Sequence, residues 1–167
     1  MKAEATPRPK KIQPSTRVEV TYHARGFSRS SKLFWTIVHH HATLTEHERM
    51  ARIQTGLEHH WLPAVKAEFH MTYPVLACLA NVSSSTLERR LKSKSPLDSV
   101  ASERFDRLAQ VAVLAEDVFE DKDIASKWMA TANDALGGET PLALCSTELG
   151  ARQVRRVLHA IEWGGVA

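Results

Sequence analysis

From residue 32 onward, apolar residues recur at intervals of three and four, the period of helices that bury one face. Thr45 is placed to cap a helix, with Glu46 and Glu48 in a first turn that favours anions and Met50, Ile53 and Leu57 along one side. The pattern predicts that this helix ends before Pro63 and that a short one follows from Ala64 to about Phe69. Thr72 can cap the next, with Pro74 in its first turn and Val75, Leu76 and Leu79 on its apolar side. Asn81 tolerates the left-handed conformation and should stop it. Val82 and three serines then lead into a helix with Leu87 and Leu91 inward and Glu88, Arg89, Arg90 and Lys92 outward.

The longest expected helix, from about Ser102 to Phe119, carries two apolar stripes: Phe105, Leu108, Ala112, Ala115 and Phe119 beside Val111, Leu114 and Val118. So wide an arc needs neighbours on more than one side, and this helix is expected to join the two halves of the chain. Ile124, Trp128 and Met129 mark a short helix. Leu136-Gly137-Gly138 ends a turn, and Thr140-Pro141 restarts a helix as cap and first residue. Ser146 or Thr147 caps a last helix with Gly150, Val154, Val157, Leu158 and Ile161 on one face, closed by Gly164. No run of four or more residues alternates as a strand should. The expected class is all-α.

Composition adds an asymmetry. Of 167 residues 43% are hydrophobic, enough for a core, and the net charge is +3. Residues 1–32 hold eight Lys or Arg against Glu4 and Glu19, which leaves the remainder net negative. With Pro7, Pro9 and Pro14 and no amphipathic period, residues 1–31 read as a basic, disordered arm, either a solvated tail or a source of non-specific attraction to a polyanion. No apolar run is long enough for a membrane span, and the N-terminus lacks the apolar core of a secretory signal, so a cytoplasmic protein is expected. Cys78 and Cys145 have no metal-type spacing and read as two small buried thiols.

The helices on either side of Asn81 have the sequence requirements of a helix-turn-helix. Ala77 supplies a close contact, Asn81 the turn, and Leu76, Val82, Leu87 and Leu91 a shared core. Ser84, Ser85, Thr86 and Arg89 would then face base edges and phosphates of operator DNA, with Arg90, Lys92 and Lys94 on phosphates. An αα-hairpin with a basic outer face satisfies the same residue types.

The second half carries a more specific series of motifs. It begins with Thr86-Leu87-Glu88-Arg89-Arg90, Ser102-Glu103-Arg104-Phe105-Asp106-Arg107-Leu108-Ala109 and Ala115-Glu116-Asp117-Val118-Phe119. Ala125-Ser126-Lys127-Trp128-Met129, Asn133-Asp134-Ala135-Leu136-Gly137-Gly138-Glu139-Thr140-Pro141-Leu142 and Thr147-Glu148-Leu149-Gly150-Ala151 follow, before the end at Glu162-Trp163-Gly164-Gly165-Val166-Ala167. In this order they resemble the Xre-type antitoxins of the RES-Xre and related Xre/MbcA/ParS systems. Met129, where such proteins often have Leu, and Cys145 in an apolar position depart conservatively. The resemblance implies a helix-turn-helix DNA-binding domain over 32–100 and a toxin-binding and dimerisation domain over 101–167. It implies a homodimer that represses its own operon and a RES-type, NAD-consuming toxin as partner, its cleft blocked by the antitoxin's C-terminal end. Toxin contacts are then expected from Arg152, Arg155, Arg156, His159, Glu162, Trp163, Gly164, Gly165, Val166 and Ala167. Trp163 is an aromatic anchor on a slender tail, although it could equally pack on its own domain.

Other chemistry finds little footing. His39-His40-His41 and His59-His60 are adjacent residues, which point different ways on a helix, and no HExxH occurs, so no metal site is expected. The acidic run Glu116, Asp117, Glu120, Asp121 and Asp123 reads as a solvated edge. No nucleophile or phosphate loop is apparent; no catalytic residue and no cofactor are assigned, and the chain reads as a non-enzyme. A stand-alone helix-turn-helix regulator without a toxin partner is the alternative.

Overall fold

A computed structural model describes residues 29–164, with side chains from residue 32. Its elements are α1 (Arg29–Ala42), α2 (Glu46–Thr55), α3 (Trp61–Glu68), α4 (Tyr73–Ala80), α5 (Ser84–Ser93), α6 (Ser99–Phe119), α7 (Lys122–Ala130), a 3-10 turn (Asp134–Leu136), α8 (Pro141–Leu144) and α9 (Glu148–Glu162). The described residues are all-α; Asn133 and Glu139 form an isolated bridge, and no strand occurs among them. The expected basic arm lies, up to residue 28, outside the described residues, as do Gly165, Val166 and Ala167.

Local chemistry sets most helix starts. Thr45, Ser83, Asp98, Asp121, Thr140 and Thr147 each accept a hydrogen bond from the backbone amide three residues on, satisfying a donor that the helix itself leaves free. Thr45 also forms a reciprocal capping box with Glu48. The Glu48 carboxyl is held below its ordinary range, chiefly by the Thr45 backbone bond.

Helix α6 is the axis of the fold. It is packed by α1, α2, α4, α7 and α9, which explains its wide apolar arc within a single chain. Phe105, Leu108, Val111, Ala112 and Ala115 are fully buried along it. Around them runs one continuous core from Phe34 in α1 to Leu158 in α9. Phe34 meets Phe69 edge-on at 5.2 Å, and Trp61 meets Phe105 at 6.4 Å.

Two buried carboxylates fix the N-terminal helices to this axis. Glu68 of α3 accepts from the Trp35 indole at 3.0 Å and from the Ser126 hydroxyl, joining α1, α3 and α7. Asp106 of α6 accepts two bonds from Arg49, at 2.8 and 3.1 Å, and one from Gln110 at 2.6 Å, with His41 Nε2 2.7 Å away. Burial pushes the Asp106 carboxyl up, but the His41 and Arg49 hydrogen bonds and the Arg49 charge outweigh it and hold the pKa at about 2.

Several sequence expectations are corrected. Helix α1 begins at Arg29, inside the stretch expected to be unstructured. The helix capped by Thr45 ends before Pro63 as expected, but at Thr55 and so short of Leu57, because Gly56 adopts φ 94° and the Leu97 carbonyl occupies the place a side chain would need. Pro63 instead lies in the first turn of α3, and Thr72 precedes α4 without a side-chain cap bond. Cys78 is exposed, and only Cys145 is the buried thiol expected, pushed up to about 12 by burial. Glu116, read as part of a solvated edge, is half-buried and meets His39 and Lys122.

Candidate functional site

The first candidate face is built by α4 and α5. Helix α4 ends at Asn81 with φ 58° and ψ 40°, and its amide bonds back to the carbonyls of Ala77 and Cys78. The chain turns through Val82, and Ser83 caps α5. Leu76 and Ala77 on one helix and Leu87 on the other are buried, so the opposite side of α5 faces outward.

The expected residues divide on that helix. Ser85, Arg89 and Lys92 share the outward face and, with Glu88 and Ser93, line one open concavity. Ser84 is exposed at the helix start and Lys94 at its end, in a left-handed conformation with φ 52°. Thr86 is half-buried, and its hydroxyl lies 2.9 Å from that of Ser83. Arg90 is turned away and bonds Asp98 at 2.6 Å, which ties the end of α5 to the cap of α6. Burial pushes the Asp98 carboxyl up, but the Ala101 amide and Arg90 outweigh it, leaving it below its ordinary range. Arg90 is thus engaged by Asp98, whereas Arg89 and Lys92 remain without ion pairs among the described residues.

The second candidate face is the outer side of α9. Gly150, Ala151, Val154 and Leu158 are buried toward α6 and α8. Gly150 is needed because a Cβ there would stand 2.2 Å from the Leu144 carbonyl oxygen. Arg107, itself buried, clamps the helix start: it donates to the Cys145 carbonyl at 3.1 Å and lies 3.3 Å from Glu148. Arg155 also pairs with Glu148, so it braces the helix.

Arg152, Arg156, His159 and Trp163 are exposed and fall on one stripe at helical spacing. Arg152 and Arg156 form no ion pair among the described residues, while His159 Nδ1 lies 3.3 Å from Glu162. Trp163 is 85% exposed, so little of its indole packs against the described residues. Gly164 follows in a left-handed conformation, with φ 74°. The result is a cationic stripe ending in a bare indole, a surface with the residue types that anchor protein interfaces.

Sequence reasoning overlooked two contributors. Leu149, 61% exposed on the same side of α9, stands in sequence only as part of a motif and carries no assigned role there. Glu88 was read as merely outward, yet it sits within the concavity of α5. Among the described residues no three His, Cys, Asp or Glu side chains gather to hold a metal ion. No helix among them is long and apolar enough to cross a membrane.

Residues 114–164 match the family described as "Antitoxin Xre/MbcA/ParS C-terminal toxin-binding domain". Similar proteins include an "Antitoxin Xre" of Pseudomonas putida, 32% identical over 47% of this chain and 50% of that protein. An "Antitoxin Xre" of Yersinia enterocolitica is 32% identical over 64% of this chain and 68% of its own length. A "Prs ADP-ribosylating antitoxin" of a Sphingobium species is 27% identical over 72% of this chain and 81% of that protein. The chain thus spans only about half the length of the Pseudomonas relative.

Proposed function

Because the chain belongs to the Xre-type antitoxin family, we propose that it is the antitoxin of a toxin-antitoxin pair and neutralises its toxin through α9 and the segment that follows. The observation that carries this reading is Trp163, 85% exposed at the end of the Arg152, Arg156 and His159 stripe and within the matched region. An indole left in water on a rigid helix contributes to stability only when a partner covers it, and removal of such an anchor typically costs about 2 kcal/mol or more of binding. The partner we propose is a RES-type toxin that uses NAD, with Trp163 and the residues after it entering its cleft. ADP-ribosyl transfer, named for the Sphingobium relative, is one form of that chemistry, and NAD degradation is the other. Co-purification with the product of the adjacent gene, followed by an NAD-depletion assay with and without this chain, tests the reading. A stable complex with suppressed NAD loss is expected; no complex would favour a stand-alone regulator.

Repression of its own operon is the second part of the reading, supported by the left-handed turn at Asn81 between α4 and α5 and by the outward Ser85, Arg89 and Lys92. A helix so presented suits the major groove. A homodimer would set two such helices against a palindromic site, about 34 Å apart. The packing of α6 does not call for that partner, since its own helices fill its arc. Sedimentation at micromolar concentration decides the point: a dimer is expected, and monomer alone would refute it.

A further inference from the structure

We propose that Glu88 is a specificity-determining residue of the DNA-facing helix and accepts a hydrogen bond from the exocyclic amino group of a cytosine in the operator. The inference rests on the DNA reading of α4 and α5 given above. Ser85, Glu88, Arg89 and Lys92 line one concavity and come from successive turns of α5, so whatever docks there meets all of them together. Three of these side chains suit a polyanion, and Glu88 opposes it.

Among the described residues the Glu88 carboxylate has no ion pair, although Lys92 stands one turn on, in the order that favours pairing on a helix surface. Glu88 is also exposed, so it does not serve the core as Leu87 does beside it. A carboxylate in this position is repelled by every phosphate, which weakens binding to DNA of any sequence. It gains only where a base donates to it. In the major groove the donors are the N4 amino group of cytosine and the N6 amino group of adenine. Adenine also presents its N7 acceptor beside N6, which a carboxylate cannot satisfy and which suits Asn or Gln instead. Cytosine is therefore the complement of an ionised Glu88, while Arg89 on the same face suits a guanine or a phosphate.

The test is selection from random duplexes by the full chain and by Glu88→Ala and Glu88→Gln, at one fixed salt concentration, with far-UV circular dichroism confirming the fold of each. The parent chain is expected to enrich a motif in which one C·G pair is preferred by about five- to a hundredfold. Glu88→Ala should lose the preference at that pair alone while binding random-sequence duplex more tightly, since one repulsive charge is gone. Glu88→Gln should move the preference at the same pair toward A·T. If both variants select the parent's motif unchanged at every position, the assignment of Glu88 is overturned and the DNA reading stands. If the parent chain enriches no motif and retains no duplex, the DNA reading itself fails and takes this assignment with it.

Discussion

Replacing Gly150 by alanine separates the packing account from simple helix propensity, because the two give opposite signs. In an exposed helix interior the change should stabilise by about 1 kcal/mol. Here the new Cβ would stand 2.2 Å from the Leu144 carbonyl oxygen, 2.9 Å from its carbonyl carbon and 3.0 Å from its Cα. A comfortable carbon-to-oxygen contact is about 3.3 Å, so α8 and the start of α9 must part by roughly 1 Å. The obstacle is backbone, with no flexible side chain to swing aside. Parting also strains the Thr147 cap, whose hydroxyl accepts from the Gly150 amide at 3.1 Å, and the Arg107 clamp on Glu148. Overpacking of this kind costs about 1–3 kcal/mol, equivalent to a fall in Tm of roughly 2–12 °C for a chain of this size. Thermal unfolding followed by circular dichroism reads the difference, with Ala160→Gly at an exposed position of α9 as the propensity control. A Gly150→Ala protein at least as stable as the parent would refute the close packing of α8 on α9.

Other expectations follow from the same geometry. Asp106→Asn should destabilise by about 3 kcal/mol, since the Arg49 cation loses its buried counter-charge. The Asp106 pKa lies at about 2 against an ordinary 3.8, so its stabilisation is complete above about pH 5 and is lost as pH falls toward 2, by a total on the order of 2–3 kcal/mol. Urea midpoints across that range should fall less steeply in the variant; parallel curves would contradict the network. Arg89→Ala should weaken promoter binding by about 1–3 kcal/mol in a gel shift at fixed salt, whereas Arg90→Ala should act on stability through its lost bond to Asp98. Equal effects of the two on DNA binding would refute the division of α5 into outward and inward faces. Arg156→Ala should weaken toxin binding by at least about 1 kcal/mol with no loss of stability, as calorimetry on the purified complex can check.

What could be read from the chain and what could not divide by how local the cause is. Thr45, Thr140-Pro141 and Thr147 act on amides three residues away, and Asn81 acts on its own backbone, so each feature was visible in sequence. Helix α1 was obscured because its buried side includes His41 and Trp35, whose polar atoms find partners on α6 and α3. Gly56 ends α2 early because of Leu97, which is distant in sequence. The same limit applies to the arginines: Arg89 and Arg90 are alike as residue types, and Asp98 is what sets them apart. Trp163 was balanced between a core role and an interface role, and only the positions of its neighbours leave it exposed.

The central claim is that the end of α9 neutralises the toxin, and a chain truncated after Glu162 tests it most directly. Trp163 is exposed and the core ends at Leu158, so the truncated chain should keep its fold. Co-expressed with the toxin of the adjacent gene at the level of the full chain, it should fail to restore growth while still retarding its own promoter DNA. Growth restored to the full-length level would contradict the claim and move inhibition to the Arg152 and Arg156 face of α9.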